Sequence, residues 1–131
     1  MRQFQVLDQS AVDSATGILS LIARGGSASL ALRREGEYVS ISASLGALEI
    51  ALRPRVRDLI RALRQLQPND GLQTTRQVGS GDCFLGLGLR SDGTLILRPT
   101  LVGDASGYFC LNLTLSPDVA AALRGWLGDE A

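Results

Sequence analysis

The segment LALRREGEYV at residues 30–39 recurs as LGLRSDGTLI at residues 87–96. Both copies contain a Leu-x-Leu-Arg run, an acid–Gly pair and two apolar residues, which indicates two strands joined by a tight hairpin turn. A second pair of similar segments, LEIALRPRV at residues 48–56 and LNLTLSPDV at residues 111–119, follows in the same order. Two ordered matches predict an internal duplication. A shared strand–turn–strand pattern is the alternative explanation.

Each half of the chain is predicted to contain four strands followed by a helix. Pro54 and Pro117 are placed at the first helical positions, where the missing N–H of proline removes no hydrogen bond. The sequence predicts either a strand or a helix within residues 11–24, because the apolar residues there suit both structures. The predicted strands lie near residues 17–24, 28–34, 37–44, 47–53, 73–78, 83–90, 94–102 and 108–115.

The two halves are predicted to form one domain that spans residues 1–131. We expect an α+β fold of two tandem ββββα repeats, about residues 17–66 and 72–127, in which antiparallel sheets pack against the helices. Residues 67–71 are interpreted as the linker between the repeats because they combine Pro, Asn, Asp and Gly. Residues 1–16 and the last few residues are expected to be loose ends.

All of the side-chain positive charge comes from arginine. The sequence has 13 Arg, no Lys and no His, and its 13 Asp and Glu residues bring the net charge to zero. This balance argues against strong non-specific binding to nucleic acid, but it is compatible with a local basic stripe. The lack of His excludes a Ser-His-Asp triad, a Cys-His pair and a His metal site. Because Gly79-x-Gly81 and Gly86-x-Gly88 also lack the context of a nucleotide fingerprint, we predict no enzyme, no cofactor and no metal.

The two cysteines are predicted to be free thiols in a reducing compartment. Cys83 and Cys110 differ in strand parity relative to their apolar neighbours, so they face opposite sides of a shared sheet and cannot form a disulfide. The N-terminus lacks the pattern of a signal peptide. No apolar run approaches the ~20 residues that a membrane span needs. We therefore expect a cytoplasmic protein that does not contact a membrane.

The outer faces of the predicted sheets carry small residues and occasional arginines, whereas a solvated face more often carries Lys, Glu and Thr. Small residues let another surface approach closely. That surface is a nucleic-acid strand, a partner subunit or the other half of the chain. The residues that show this pattern are Ser29, Ala31, Arg33, Gly86, Gly88 and Arg90.

A cluster of arginines at positions 53, 55, 57, 61 and 64 falls on and just before the first predicted helix. Arg57, Arg61 and Arg64 lie on the helical side opposite the apolar residues. One interpretation of this side is a stripe for an anionic partner. The other is a solvated helix face whose charge is partly offset by Asp58.

The predicted order of strands and helices resembles the Whirly family of single-stranded-DNA-binding proteins. It also resembles the transcriptional positive cofactor four, in which one such unit dimerises. The chain is similar as well to small bacterial proteins of this fold, including cyanobacterial ones. The resemblance covers roughly residues 17–127.

The resemblance implies that single-stranded DNA or RNA lies across the outer sheet faces. Cations would contact its phosphates or bases, and aromatic side chains would stack on its bases. Carried over to this chain, the expected contacts are Arg33, Arg34, Arg90, Arg98, Tyr38, Phe84 and Phe109. The competing hypothesis is a protein-interaction or assembly module that binds no nucleic acid. A homo-oligomer is expected in either case.

Overall fold

The computed structural model describes residues 4–104 and 106–128, which form eleven strands and two helices in two sheets. The α+β class is confirmed at this level. In chain order the elements are β1 (Gln5–Leu7), β2 (Gln9–Val12), β3 (Leu19–Ile22), β4 (Ala28–Glu35), β5 (Tyr38–Leu45), β6 (Leu48–Leu52), α1 (Val56–Arg64), β7 (Arg76–Gly79), β8 (Cys83–Leu89), β9 (Leu95–Val102), β10 (Tyr108–Cys110), β11 (Leu113–Leu115) and α2 (Pro117–Leu127).

The first sheet is an antiparallel meander in the order β2-β3-β4-β5-β6. Its longest hairpin, β4–β5, turns at Gly36, whose φ of 66° is accessible to glycine at little steric cost. In β4 and β5 the core-facing positions alternate with outward positions, which are occupied mainly by serines and by Ala31; the core-facing residues are Ala28, Leu30, Leu32, Val39, Ile41 and Ala43. The hairpin predicted from the acid–Gly pair is therefore present.

The second sheet has the order β1-β11-β9-β8-β7, and β10 also pairs with β9. The expectation of antiparallel sheets fails here, because β1 runs parallel to β11; the other pairs of this mixed sheet are antiparallel. Leu85, Leu87 and Leu97 point to the core. The residues between them in each strand alternate to the outer face, which carries the cleft described below.

From residue 4 onward the N-terminal segment is ordered, so the expectation of a loose end through residue 16 was wrong for this part. Residues 1–3 and 129–131, which were also expected to be loose, lie outside the described residues. β1 pairs with the second sheet and β2 pairs with the first, so this segment connects the two sheets. Leu7 is fully buried in the core. Asp8 fixes the crossing, because its backbone N–H donates to the Ile22 carbonyl and its carboxylate accepts from the Arg24 N–H at 2.9 Å. Residues 11–24 form a β hairpin rather than a helix.

Helix α2 follows its predicted start. Ser116 is the N-cap, Pro117 begins the helix, and the Ser116 hydroxyl accepts from the Val119 N–H at 3.4 Å. Helix α1 begins two residues later than predicted. Pro54 lies before the helix because its carbonyl accepts from the Val39 N–H of β5, and Arg55 takes the N-cap position without a side-chain cap bond.

Apart from Ile96 on the outer face of β9, the described buried apolar side chains of both sheets and both helices form one core cluster. The α1 residues facing it are Val56, Leu59 and Leu63, which confirms the predicted apolar face of that helix. Cys83 and Cys110 are free thiols that belong to opposite faces of the second sheet.

Candidate binding cleft on the second sheet

The segment between α1 and β7 extends beyond the predicted linker of residues 67–71, and residues 65–75 are called the linker from here on. This linker crosses the outer face of the second sheet. A Cβ atom added at Gly88 would overlap the carbonyl oxygen of Gln73, and one added at Gly86 would lie 3.2 Å from the Thr74 side chain. The linker also pairs with the edge of β8, because Thr75 N–H donates to the Leu87 carbonyl at 2.7 Å. The glycines of this strand therefore accommodate the protein's own chain and not an external strand.

Arg98 connects the linker to the sheet. Its Nε donates to Asn112 Oδ1 at 2.6 Å, Nη1 donates to Thr74 Oγ1 at 3.4 Å, and Nη2 donates to the Leu72 carbonyl at 3.3 Å. The guanidinium carbon also lies 6.0 Å from the centroid of the Phe4 ring. This half-buried side chain is thus a positioning group that holds one wall of the neighbouring cleft.

The cleft lies between this linker and the β9–β10 hairpin. It has a volume of about 720 Å³, which is within the usual range for small-ligand sites. Its floor is the outer face of β8 and β9, where Phe84 pairs with Thr100 across the strands. Its lining residues are Thr74, Gln77, Phe84, Arg98, Thr100, Val102, Asp104, Ser106, Gly107 and Tyr108.

Two aromatic side chains stand on either side of β9 in this cleft. Phe84 is half-buried on β8, and Tyr108 is 64% exposed on β10, opposite Val102. Both rings have surface available to a planar ligand, and Tyr108 has most of its area in solvent. An apolar aromatic surface of this kind gains free energy when a flat ring covers it.

A charged carboxylate lies at the hairpin end of the cleft. The Ser106 hydroxyl and backbone N–H both donate to Asp104 Oδ1, the latter at 2.8 Å. These bonds hold the pKa of Asp104 below its ordinary value of 3.8, so the group is ionised at neutral pH. Because both described bonds use Oδ1, Oδ2 can accept a hydrogen bond from a ligand. The cleft therefore has cationic Arg98 and anionic Asp104 among its lining residues.

The structure brings together only two of the seven predicted contact residues in this cleft, Phe84 and Arg98. Arg33 and Tyr38 belong to the first sheet. The Tyr38 ring is covered by the guanidinium groups of Arg53 and Arg55, at 4.4 and 5.4 Å from its centroid. Two arginines of the protein itself therefore cover the ring surface of Tyr38 on which a base was expected to stack.

The other three predicted contacts lie elsewhere. Arg34 Nη1 donates to the Leu127 carbonyl at 3.3 Å, which ties β4 to the end of α2. Arg90 closes the β8–β9 turn through its backbone, where its N–H donates to the Thr94 carbonyl. Phe109 projects from the face of β10 opposite Tyr108 and pairs with Leu101.

Eight of the ten lining residues were not predicted from the sequence, and three of these have side chains suited to contact a base: Gln77, Asp104 and Tyr108. Asp104 lies in the turn between β9 and β10, where it accepts from Ser106, and an acid in a turn is by itself no signal of a binding site. Tyr108 had a usable signal, since it follows a Gly-containing turn and precedes a second aromatic residue. Nothing local indicates that it faces the same side of the sheet as Phe84.

Comparison with protein-family models, curated proteins and solved structures finds no match to this chain. Within residues 4–104 and 106–128, neither helix has the length and apolar character needed to cross a membrane. The same described ranges contain no group of three or more His, Cys, Asp and Glu residues placed to hold a metal ion.

Proposed function

We propose that this protein binds single-stranded nucleic acid and stacks at least one base in the cleft of the second sheet. One observation carries the proposal: Phe84 and Tyr108 line the same open cleft as hydrogen-bonding side chains. Stacking on aromatic rings contributes ~1–3 kcal/mol per base and accepts any base, because every base has a π-face. Unpaired bases are available for such stacking, whereas duplex bases are already stacked and paired.

The polar residues of the cleft suit the edge of an unpaired base. The Asp104 carboxylate can accept a hydrogen bond from an exocyclic amino group, as carboxylates do with cytosine. The Gln77 side chain offers both a donor and an acceptor. Arg98 supplies a positive charge near the same base without leaving its bonds to the linker.

We infer further that the chain consists of two ββββα units, as the sequence analysis predicts. The order of elements along the chain supports this inference: the first half contains β3-β4-β5-β6-α1, and the second contains β7-β8-β9-β10/β11-α2. The second half departs from it at one point, because the predicted strand over 108–115 is divided into β10 and β11. A Whirly-like arrangement of this kind supports single-strand binding by analogy of fold alone.

The test is fluorescence anisotropy with labelled single-stranded DNA and RNA at low and moderate salt. Phe84→Ala and Tyr108→Ala should each weaken binding by about 5- to 150-fold, the equivalent of one lost stacking contact. Phe109→Ala is the matched control, because it removes an adjacent aromatic ring from the opposite face of β10. Circular dichroism checks that each variant is folded.

Wild-type protein that binds no oligonucleotide at low salt would overturn the proposal. Equal effects of Tyr108→Ala and Phe109→Ala would also place the binding outside the cleft. The expected result is a large loss for the first variant and little change for the second.

A second candidate function, protein interaction, is favoured by the other face of the β9–β10 hairpin. Leu101 and Phe109 are cross-strand partners there and are 48% and 41% exposed. Adjacent exposed apolar side chains are typical of association surfaces when they form a contiguous patch. This function predicts a concentration-dependent change in sedimentation that Phe109→Ser abolishes and Tyr108→Ser does not.

A further inference from the structure

The arginine cluster near α1 is not used by the cleft. Between Arg53 and Arg64 the chain carries five arginines and one acid, Asp58. Arg55 and Arg57 lie at the positive end of the helix, where the dipole disfavours a cation, and Arg55 makes no side-chain cap bond. Helix stability therefore does not account for these two charges.

The surface between the cleft and this helix is a chain of adjoining depressions. A groove of about 280 Å³ lies between α1 and β7, and Gln77 lines both this groove and the aromatic cleft. A further depression of about 600 Å³ lies on α1 itself, and it shares Arg61 and Gln65 with the groove. The aromatic cleft thus continues over the edge strand β7 onto the outer side of α1.

Positive charge predominates along this path. The groove and the α1 depression are lined by Arg57, Arg61, Arg64 and Arg76, with Asp58 as their acid. Asp58 lies 3.9 Å from Arg61, and both side chains are more than two-fifths exposed, so this pair offsets little of the charge. Within the described ranges, Arg57 forms no ion pair. A polyanion would therefore be attracted along the whole path.

We propose that Arg57, Arg61 and Arg76 form a phosphate track for the strand whose base occupies the aromatic cleft. This inference rests on the proposed function, because the track begins where the cleft ends. The occupant is the sugar–phosphate backbone of a single strand. A concave path that carries arginines and adjoins a stacking site suits a flexible polyanionic chain, whereas a membrane surface is flat.

The track makes oligonucleotide length a determinant of affinity. A di- or trinucleotide fills only the cleft, whereas an oligonucleotide of about 12 residues, within the known range of single-strand sites, also covers the track. Each phosphate neutralised by an arginine contributes about −0.7 to the slope of log K against log salt for a single strand. The longer oligonucleotide should therefore bind more tightly and with a steeper salt dependence.

The test measures salt slopes for both lengths with Arg57→Gln, Arg61→Gln and the double variant. We expect each single variant to reduce the slope for the 12-residue oligonucleotide by about 0.7, and the double variant by about 1.4. Binding of the trinucleotide should not change. Arg24→Gln is the matched control, because it removes the same charge from the β3–β4 turn, outside the track.

The outcomes separate this inference from the proposed function. If the wild type binds neither oligonucleotide, both fail. If the wild type binds and Phe84→Ala weakens binding, but the Arg57 and Arg61 variants keep the wild-type slope, only the track is overturned. The track is likewise overturned if Arg24→Gln reduces the salt slope as much as the Arg57 and Arg61 variants do, since the reduction would then come from net charge alone.

Discussion

Replacing Gly88 with alanine should destabilise the fold by displacing the linker from the second sheet. The added Cβ would overlap the Gln73 carbonyl oxygen and would lie 3.2 Å from the Gln73 carbonyl carbon and 3.3 Å from Thr74 Cα. All three atoms belong to the backbone, so no side-chain rotation relieves the contact. The linker must move outward, and Thr74 and Leu72 then separate from Arg98.

The expected change in the free energy of unfolding is the balance of two opposing effects. An extra methyl group in a well-packed site costs about 1–3 kcal/mol. Replacement of glycine by alanine restricts the unfolded chain and returns about 0.4–1 kcal/mol. The net loss is about 1–2 kcal/mol. With an unfolding entropy of about 2.1 cal/mol/K per residue, this loss lowers the Tm of a chain this long by roughly 4–7 °C.

Thermal unfolding followed by circular dichroism measures this change. Gly125→Ala is the control, because Gly125 is an exposed helical residue with no atom within 4 Å of an added Cβ. It should raise stability by about 0.5–1 kcal/mol, the difference in helix propensity. If Gly88→Ala melts at or above the wild-type temperature, the linker does not cover this face, and the glycine face is open to an external strand after all.

Two further predictions concern stability. Ser116→Ala should cost about 0.5–2 kcal/mol in urea unfolding, because the Val119 N–H at the start of α2 loses its acceptor; an unchanged midpoint would contradict this cap. The pKa of Asp92 lies below its ordinary value of 3.8, first because the Thr94 N–H donates to its carboxylate. The ionised group therefore stabilises the fold at pH values above 3.8, and this stabilisation is lost as the pH falls through the lower pKa of the folded state. Asp92→Asn keeps an acceptor for the same bond, so its stability should fall less than that of the wild type between about pH 5 and pH 2; parallel curves would refute this assignment.

The repeated strand and helix patterns were predictable from the sequence because their causes are local. Alternation with a period of two places β4, β5, β8 and β9 within one residue of their observed bounds. The acid–Gly turns and the Ser116 cap act over three or four residues. Helix α1 begins later than Pro54 indicates, because the Pro54 carbonyl accepts a hydrogen bond from β5, and only the folded chain brings those two segments together.

The N-terminal strands and the linker were not predictable in the same way. β1 and β2 are short and lack a long apolar alternation, and they are defined by pairing with β11 and β3. The small residues at Gly86 and Gly88 indicated a covering surface but left three candidates for it. Only the structure identifies that surface as the Gln73–Thr74 segment.

Taken alone, the sequence determined the α+β class, the main hairpins, the buried face of α1 and the separation of the two cysteines. Each of these depends on periodicity or on contacts among residues close together in the chain. The tertiary structure decided that Phe84 and Tyr108 share a cleft, that Phe109 does not, and that the cleft adjoins the arginines of α1. These relations depend on strand register and on the packing of distant segments, for which a local pattern contains no signal.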